Sequence, residues 1–531
     1  MNLDVNNVRA RLMNGGDMWW DLVGSPGYQV PKLPVDTAGP NAMFAGALWI
    51  GGLDQDGQLH MAAQTYRQNG NDFFPGPLND DGTTDATLCS QFNQMWSVYG
   101  TEIAEAIDEW NTINPSGTSN PIPEASLSAN VLQWPGKGNP FNTIVGMRNL
   151  APFFDRNADG IYNPTHGDYP ILGGCSSPVY ADQMIWWVYN DVGNAHSESG
   201  GVPLGIEVQA LAYAFISSDC INDQTFYRYK IINKSNNEYH DLYAGLWVDP
   251  DLGCYTDDFI GCDTLNNMGI IYNADPVDQP CGTGGGYNDQ PPLTAVKLLN
   301  SLTNDPTQRP MSHFMYFNND FTATGNPSET HHFYQYLKSV FTDGTHLTTG
   351  ASGYGGSTLT NYAFPSEPGA TGWSECSEAN TAADRRIVVS SGPATLSAGQ
   401  QVTLDYAVVW VQPPVGTYNP CPNYDQLQSC AAAVQTLYDY FLCDNSFVSI
   451  QDVEIPDALN VWPNPGLDEV HLNLSSDALV EIFDVNGKML LSKQIASHSN
   501  KLDVSGLAIG CYIVKATKPD GVVLRTKLAV Q

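Results

Sequence analysis

Positive charge is scarce in this chain. Its 531 residues carry 22 Lys and Arg against 56 Asp and Glu, a formal charge of −34. A body so acidic repels nucleic-acid phosphates and anionic lipid, so no nucleic-acid partner is expected. Long apolar runs are missing too: nowhere is there an unbroken run of about 18 apolar residues, so no membrane span is expected. The opening MNLDVNNVRARL lacks the apolar stretch of a signal peptide. If the protein is exported, its signal peptide is missing from this sequence, and a cytosolic protein is the competing reading. There is no Cys-x-x-Cys pair of the zinc or thioredoxin kind, no G-x-S-x-G elbow and no H-E-x-x-H. The glycine run GTGGG at 282–286 lacks the Lys-Ser/Thr of a nucleotide loop and reads as a plain loop. Whether the protein is an enzyme stays open, because no motif names a reaction.

What is present favours β-structure. Tyr (26), Trp (12), Gly (49) and Pro (35) alternate along the chain, giving apolar strands punctuated by turns. The length suggests two or three domains. From residue 459 onward 7 Lys and Arg face 7 Asp and Glu, so the acidic excess belongs wholly to the first 458 residues. Eleven cysteines suit disulfides if the protein is exported. Cys254 with Cys262, and Cys421 with Cys430 or Cys443, are close enough in sequence for local bridges. The odd count leaves one thiol over, and Cys511, alone in the strand-like CYIVKA, is the expected one.

The expected fold is mainly β: a large antiparallel β-sandwich, jelly-roll or Ig-like, with long loops and a few short helices, followed by a small C-terminal Ig-like sandwich. Residues 1–150 read as a β-rich region with helical and loop insertions, 151–443 as the main sandwich, 444–458 as a linker and 459–531 as a separate module. MFAGALWIGGL, the turn Asp54-Gln55-Asp56-Gly57 and QLHMAAQTY form a hairpin over 41–66. The spacing over 88–112 predicts short helices, and 113–145 reads as loop. ALAYAFI is apolar throughout and belongs in the centre of a sheet, whereas QTFYRYKIIN reads as a strand with one wet face. Trp186 and Trp187, as neighbours in a strand, are not expected to face inward together. Residues 424–443 carry Leu427, Ala431, Val434, Leu437 and Phe441 on one helical stripe.

The last segment reads VWPNPGLDEVHLNL, EIFDVNGKML, LDVSGLAIGCYIVKAT and VLRTKLAV. With Pro463-Asn464-Pro465, the Asp484 to Gly487 hairpin and the Leu507 to Tyr512 approach, it resembles the type A C-terminal sorting domain of Bacteroidota type IX secretion cargo. The resemblance covers residues 459–531 alone. It implies a small immunoglobulin-like sandwich, the type IX machinery as partner, and an extracellular or cell-surface destination. The body is similar to uncharacterised large secreted proteins of the same group through its WPG, DGIYNP, WWVYND and DPDLG segments. That likeness names no activity.

Two acidic segments point to calcium. In DRNADGIYNP, Asp155, Asn157 and Asp159 stand at alternate positions before Gly160, with Ile161 at the seventh position of the loop. This resembles calcium loops of EF-hands and thrombospondin type 3 repeats. His166 stands where an EF-hand has Glu, and Asp168 is the expected substitute. An Asx-rich turn without metal is the alternative. In WVDPDLGCYTDDFIGCD, Asp249, Asp251, Asp257, Asp258 and Asp263 lie within fifteen residues, where mutual repulsion demands a cation or solvent. His331 and His332, adjacent in an expected strand, point to opposite faces and share no metal.

Two functions compete. One is a secreted, calcium-stabilised protein with a structural, adhesive or glycan-binding role, which requires aromatics grouped on an exposed face. The other is an extracellular hydrolase of polysaccharide using paired carboxylates, with Glu207, Asp257 and Asp258 as candidates. That reading needs two carboxyls roughly 5 to 9.5 Å apart across an open groove.

Overall fold

Alternating apolar residues between turn signals produce strands through most of the chain, and every strand ladder among the described residues is antiparallel. The computed structural model describes residues 1–441, apart from 35, 36, 38, 68, 69, 116, 117, 174–177, 283, 284 and 304–309. In the tail it describes 459, 461–462, 469–472, 474, 477–483, 488–496, 501–508, 510–519 and 523–530. The chain divides into two units, Met1–Phe447 and Val448–Gln531.

Two large sheets dominate the first unit, beside a small four-stranded sheet from Asn2–Leu3, Arg9–Arg11, Tyr28–Gln29 and Asn41–Met43 and the pair Phe153–Phe154 and Tyr169–Pro170. The larger runs, in spatial order, through Asp258–Asp263, Met268–Asn273, Leu293–Leu298, Gln401–Val411, Thr225–Asn233, Ile206–Ala214 and Gln183–Asn190. The short strands Phe74–Pro75 and Trp96–Tyr99 both join Gln183–Asn190. The smaller runs through His313–Asn318, Arg385–Leu396, Tyr239–Asp249 and Ala45–Leu53, which Asp17–Met18 and Leu59–Ala63 both flank. Segments before residue 150 therefore supply strands to both sheets, and the expected division near 150 is not a structural boundary.

The hairpin over 41–66 forms with Trp49 opposite Ala63 and Leu53 opposite Leu59. Asp54 Oδ1 closes its turn by accepting the amides of Asp56 and Gln58, both at 2.9 Å. The apolar run of Ile206–Ala214 is buried at every position and lies centrally, as its composition requires.

The larger sheet is covered on both faces, which corrects the expectation for Trp186 and Trp187. Both are buried, at 1% and 2% exposure, on opposite faces of one strand. Trp187 joins the core between the two sheets. Trp186 joins a second core, against Trp96 at 5.7 Å between ring centroids. The helices Gly100–Ile113, Ala129–Gln133 and Asp425–Phe441 roof that second core, sending Trp110, Val131, Leu427, Ala431 and Val434 into it. Arg228 on the sheet pairs with buried Asp405, whose other oxygen accepts the Tyr438 hydroxyl at 2.7 Å from the last helix. Tyr169 and Tyr162 pack into the same layer from the loops.

The cysteines pair over longer distances than expected: Cys220 with Cys430, Cys254 with Cys281, and Cys376 with Cys421. Cys262 is a free, buried thiol. It faces the core, where its Sγ meets the Ala363 carbonyl, so it cannot reach Cys254. Cys443, the 444–458 linker, Pro463 to Pro465 and the Asp484 to Gly487 hairpin lie outside the described residues, as does the side chain of Cys511.

The second unit has two sheets, Val461–Trp462, Glu469–Leu472 and Lys501–Asp503 in one, and Met489–Ile495, Ala478–Phe483, Gly510–Thr517 and Val523–Val530 in the other. Ala478–Phe483 buries alternate residues, so that Ala478, Val480 and Ile482 meet Val470, Leu472, Val514 and Leu528 in a small separate core. The protein is mainly β, with short helices.

Candidate metal centre

Antiparallel pairing sets the charged end of the smaller sheet. Val248 lies opposite Ile387, which carries Asp249 up beside Arg386 on the neighbouring strand. Asp384 precedes that strand, and Asp251 follows Asp249 around the turn. One carboxylate oxygen from each of Asp249, Asp251 and Asp384 lies within 4.8 Å of the others. They form the floor of an open cleft of about 620 Å³ bordered by Trp20, Phe44, Tyr66, Arg67 and Tyr255.

The cleft is tightly wired. Asp249 Oδ2 accepts from Tyr66 Oη at 2.5 Å and from Arg386 Nη2 at 3.2 Å. Arg386 Nε donates to the same Tyr66 oxygen at 3.2 Å, and its Nη1 pairs with Asp384. Arg67 is already neutralised, gripping buried Asp17 through two nitrogens at 3.0 and 2.5 Å. Asp249 Oδ1, by contrast, is buried with no amide, hydroxyl or guanidinium donor, in a residue 2% exposed, and the Asp251 carboxyl lies close enough to Asp249 to share a proton with it. An acceptor left so costs about 1–3 kcal/mol, more when charged.

Burial pushes the Asp249 carboxyl upward, and Arg386 pulls it back. Asp251 is pushed well above the carboxylate range, first by burial and then by Asp249 and Asp384. Two carboxylates held this close need a proton or a cation between them. The charge balance favours a divalent ion, since three carboxylates and one guanidinium leave −2. All-oxygen ligands suit a hard cation such as calcium, which takes about 6–8 oxygens and would have positions left over for the cleft side.

The five-carboxylate segment is therefore split. Asp249 and Asp251 serve the cleft together with Asp384, a residue sequence reasoning missed. Asp257 and Asp258 lie at the edge of the larger sheet, electrostatically coupled to Asp278 and Asp275. Asp263 stands at the far end of the strand Asp258–Asp263, about 16 Å along. Its Oδ1 caps the amides of Leu265 and Asn266, and its Oδ2 accepts from Asn266 and Gln428.

Asp155, Asn157, Asp159 and Asp168 do share one loop, but their oxygens are engaged by its own amides. Asp155 Oδ2 accepts from Gly160 N at 2.7 Å, Asp159 Oδ1 from Ile161 N at 2.8 Å, and Asn157 Nδ2 donates to Asp159 Oδ2 at 2.9 Å. Asp168, 2% exposed, ties the loop ends by accepting from Arg156 N and Asn163 N at 2.9 and 2.7 Å. Its carboxyl is pushed up to about 6, chiefly by burial, with the backbone donors opposing and Asp155 and Asp159 adding to the rise. Among the described residues, the three carboxylates of this loop do not gather as tightly as those of the cleft.

Glu207 is not placed for catalysis with the acidic segment. Glu207 is buried, with its oxygens accepting from Leu78 N and Gln209 Nε2. It lies five strands across the sheet from Asp258, about 24 Å, too far for a catalytic pair. His331 and His332 lie in the first turn of the helix Thr330–Tyr336 rather than in a strand, with their rings 4.4 Å apart, and with Glu329 they offer three surface ligand atoms within 4.8 Å, so the expectation that they could not share a metal does not hold. The described tryptophan side chains are all buried, so no exposed aromatic face for stacking sugars is built from them.

No helix among the described residues is long and apolar enough to cross a membrane. No curated protein matches the chain. Among solved structures, a polysaccharide lyase aligns at 8% identity over 61% of this chain and 34% of its own, with a TM-score of 0.19. The chain spans about a third of that structure's length, and a likeness at this level carries no argument about reaction or ligand. Residues 460–531 match the model of the secretion system C-terminal sorting domain, which marks the protein as type IX secretion cargo bound for the cell surface or beyond.

Proposed function

We propose that the exported body is a calcium-dependent binding protein with an adhesive or glycan-binding role, its ion held by Asp249, Asp251 and Asp384 at the floor of the cleft. The observation that carries this reading is the buried, donorless Asp249 Oδ1 beside two further carboxylates. Three carboxylates leave a calcium ion's coordination open toward the cleft, where a ligand's hydroxyl or carboxylate oxygens complete it. Leu22, Val23 and Tyr255, which are exposed where they line the cleft, supply apolar area beside that position. Extracellular calcium is abundant enough to fill such a site after export, and the sorting tail supplies the route.

The polysaccharide hydrolase reading is weaker, because its candidate Glu207 is remote from Asp257 and Asp258. Calorimetric titration of calcium into chelator-stripped protein tests the proposal. Binding to the folded state raises the melting temperature by mass action, and Asp249→Asn with Asp384→Asn removes that heat and that rise. Equal heats in wild type and variant sink the cleft as the site.

A further inference from the structure

The edge of the larger sheet holds a second set of oxygens without donors. Asp258 opens the strand Asp258–Asp263 and lies directly opposite Asn273, the last residue of Met268–Asn273. Residues so paired project from the same face, their Cβ atoms about 5 Å apart. Both are enclosed, at 1% and 0% exposure, yet Asp258 Oδ1 and Asn273 Oδ1 have no hydrogen-bond donor. Asp257 Oδ1, one residue before, is likewise buried and donorless. The amide nitrogen of Asn273 is engaged by Asp275, at 2.9 Å from its carbonyl and 3.4 Å from its Oδ1.

The surrounding backbone is rigid. Asp258 Oδ2 accepts from Leu252 N at 2.9 Å, and Asp278 accepts from Cys254 N at 3.0 Å and Tyr287 N at 2.6 Å. The Cys254–Cys281 disulfide closes the same corner. Gly253, at φ +75°, passes so near that a Cβ there would lie 1.8 Å from Asp278 Oδ2, so only glycine fits. The charges acting most strongly are other carboxylates, Asp278 and Asp275 on Asp257, and Asp257, Asp278 and Asp251 on Asp258, and none of these is a guanidinium of the kind Arg386 supplies in the cleft.

We propose that Asp257, Asp258 and Asn273 hold a divalent cation of the calcium class through these three donorless oxygens, with Asp278 adding charge from behind. The ion is structural. It pins the segment 250–258, which carries Asp251 to the cleft at one end and Asp258 to the sheet edge at the other. The proposal goes beyond the cleft reading and stands without it.

The calcium content of the full-length protein, measured by atomic emission after gel filtration in calcium buffer, tests it. Asp258→Asn is expected to lose one equivalent relative to wild type, Asp384→Asn a different one, and the double variant both. If Asp258→Asn does not fold, Asp257→Asn, at the partly exposed ligand, reads the same loss. Wild-type calcium content in a folded variant at either position overturns the proposal, whatever Asp384→Asn does. Loss in Asp258→Asn with full content in Asp384→Asn supports this site and contradicts the cleft.

Discussion

His313 shows how single residues here are held in uncommon charge states. It lies 8% exposed beside the Tyr243 ring, edge to face at 5.3 Å, with Nδ1 2.9 Å from the Ser312 hydroxyl. Burial, with His346 and Lys338 adding, lowers its pKa from 6.5 to about 4. Between those values the unfolded chain binds the extra proton and the folded one does not. Its contribution is therefore complete above about pH 6.5 and is lost as pH falls toward 4, on the order of 3 kcal/mol at most. His313→Phe should flatten the acid limb of a melting-temperature profile over that interval. An unchanged limb would assign acid sensitivity elsewhere.

Some of the site was legible at this scale. The crowding of five carboxylates from Asp249 to Asp263 beside a strand end called for a cation or solvent, and two of them, Asp249 and Asp251, lie in the cleft. Asp384 was not legible, because only the register of the strand Arg385–Leu396 against Tyr239–Asp249 brings it there. The Asn273 oxygen depends likewise on cross-strand pairing, although the acidic run after MGIIYN was a signal that could have been followed.

Among the elements, the helix Asp425–Phe441 was readable from its 3.6-residue stripe, and its anchors were not. Cys430 joins Cys220 across 210 residues, a pairing that requires the sheet between them to be complete. A bridge closing so long a loop limits the unfolded chain, by about 5 kcal/mol in the chain-entropy account. Cys220→Ser with Cys430→Ser should lower the denaturation midpoint substantially, and reductant should then have less effect on the variant than on wild type. Equal midpoints would show that the Arg228, Asp405 and Tyr438 network holds the helix unaided. The strand Trp96–Tyr99 was hidden among helically spaced residues because Trp96 and Val98 fit either period. Trp186 and Trp187 misled for a related reason. Alternation tells which residues share a face, and only the helices and loops on the far side determine that both faces are dry.

For the whole molecule, the division of labour follows charge and core. The acidic body and the neutral tail each have their own hydrophobic core and are separate units. Deletion of 448–531 should leave the body's calorimetric transition in place and remove a second, smaller one, while export to the cell surface is lost. A body that no longer folds without the tail would show the two units to be interdependent. The tail was legible because its motifs are local in sequence. The role of the body was not, since the cleft is assembled from six separated segments.

The central claim is that a calcium ion lies in this cleft, and terbium luminescence tests it most directly, because Trp20 and Tyr66 border the proposed position and transfer excitation over short range. The account predicts sensitised terbium emission from chelator-stripped protein that calcium displaces, and that falls in both Trp20→Phe and Asp384→Asn. Emission that is absent, or that is untouched by both substitutions, would contradict it.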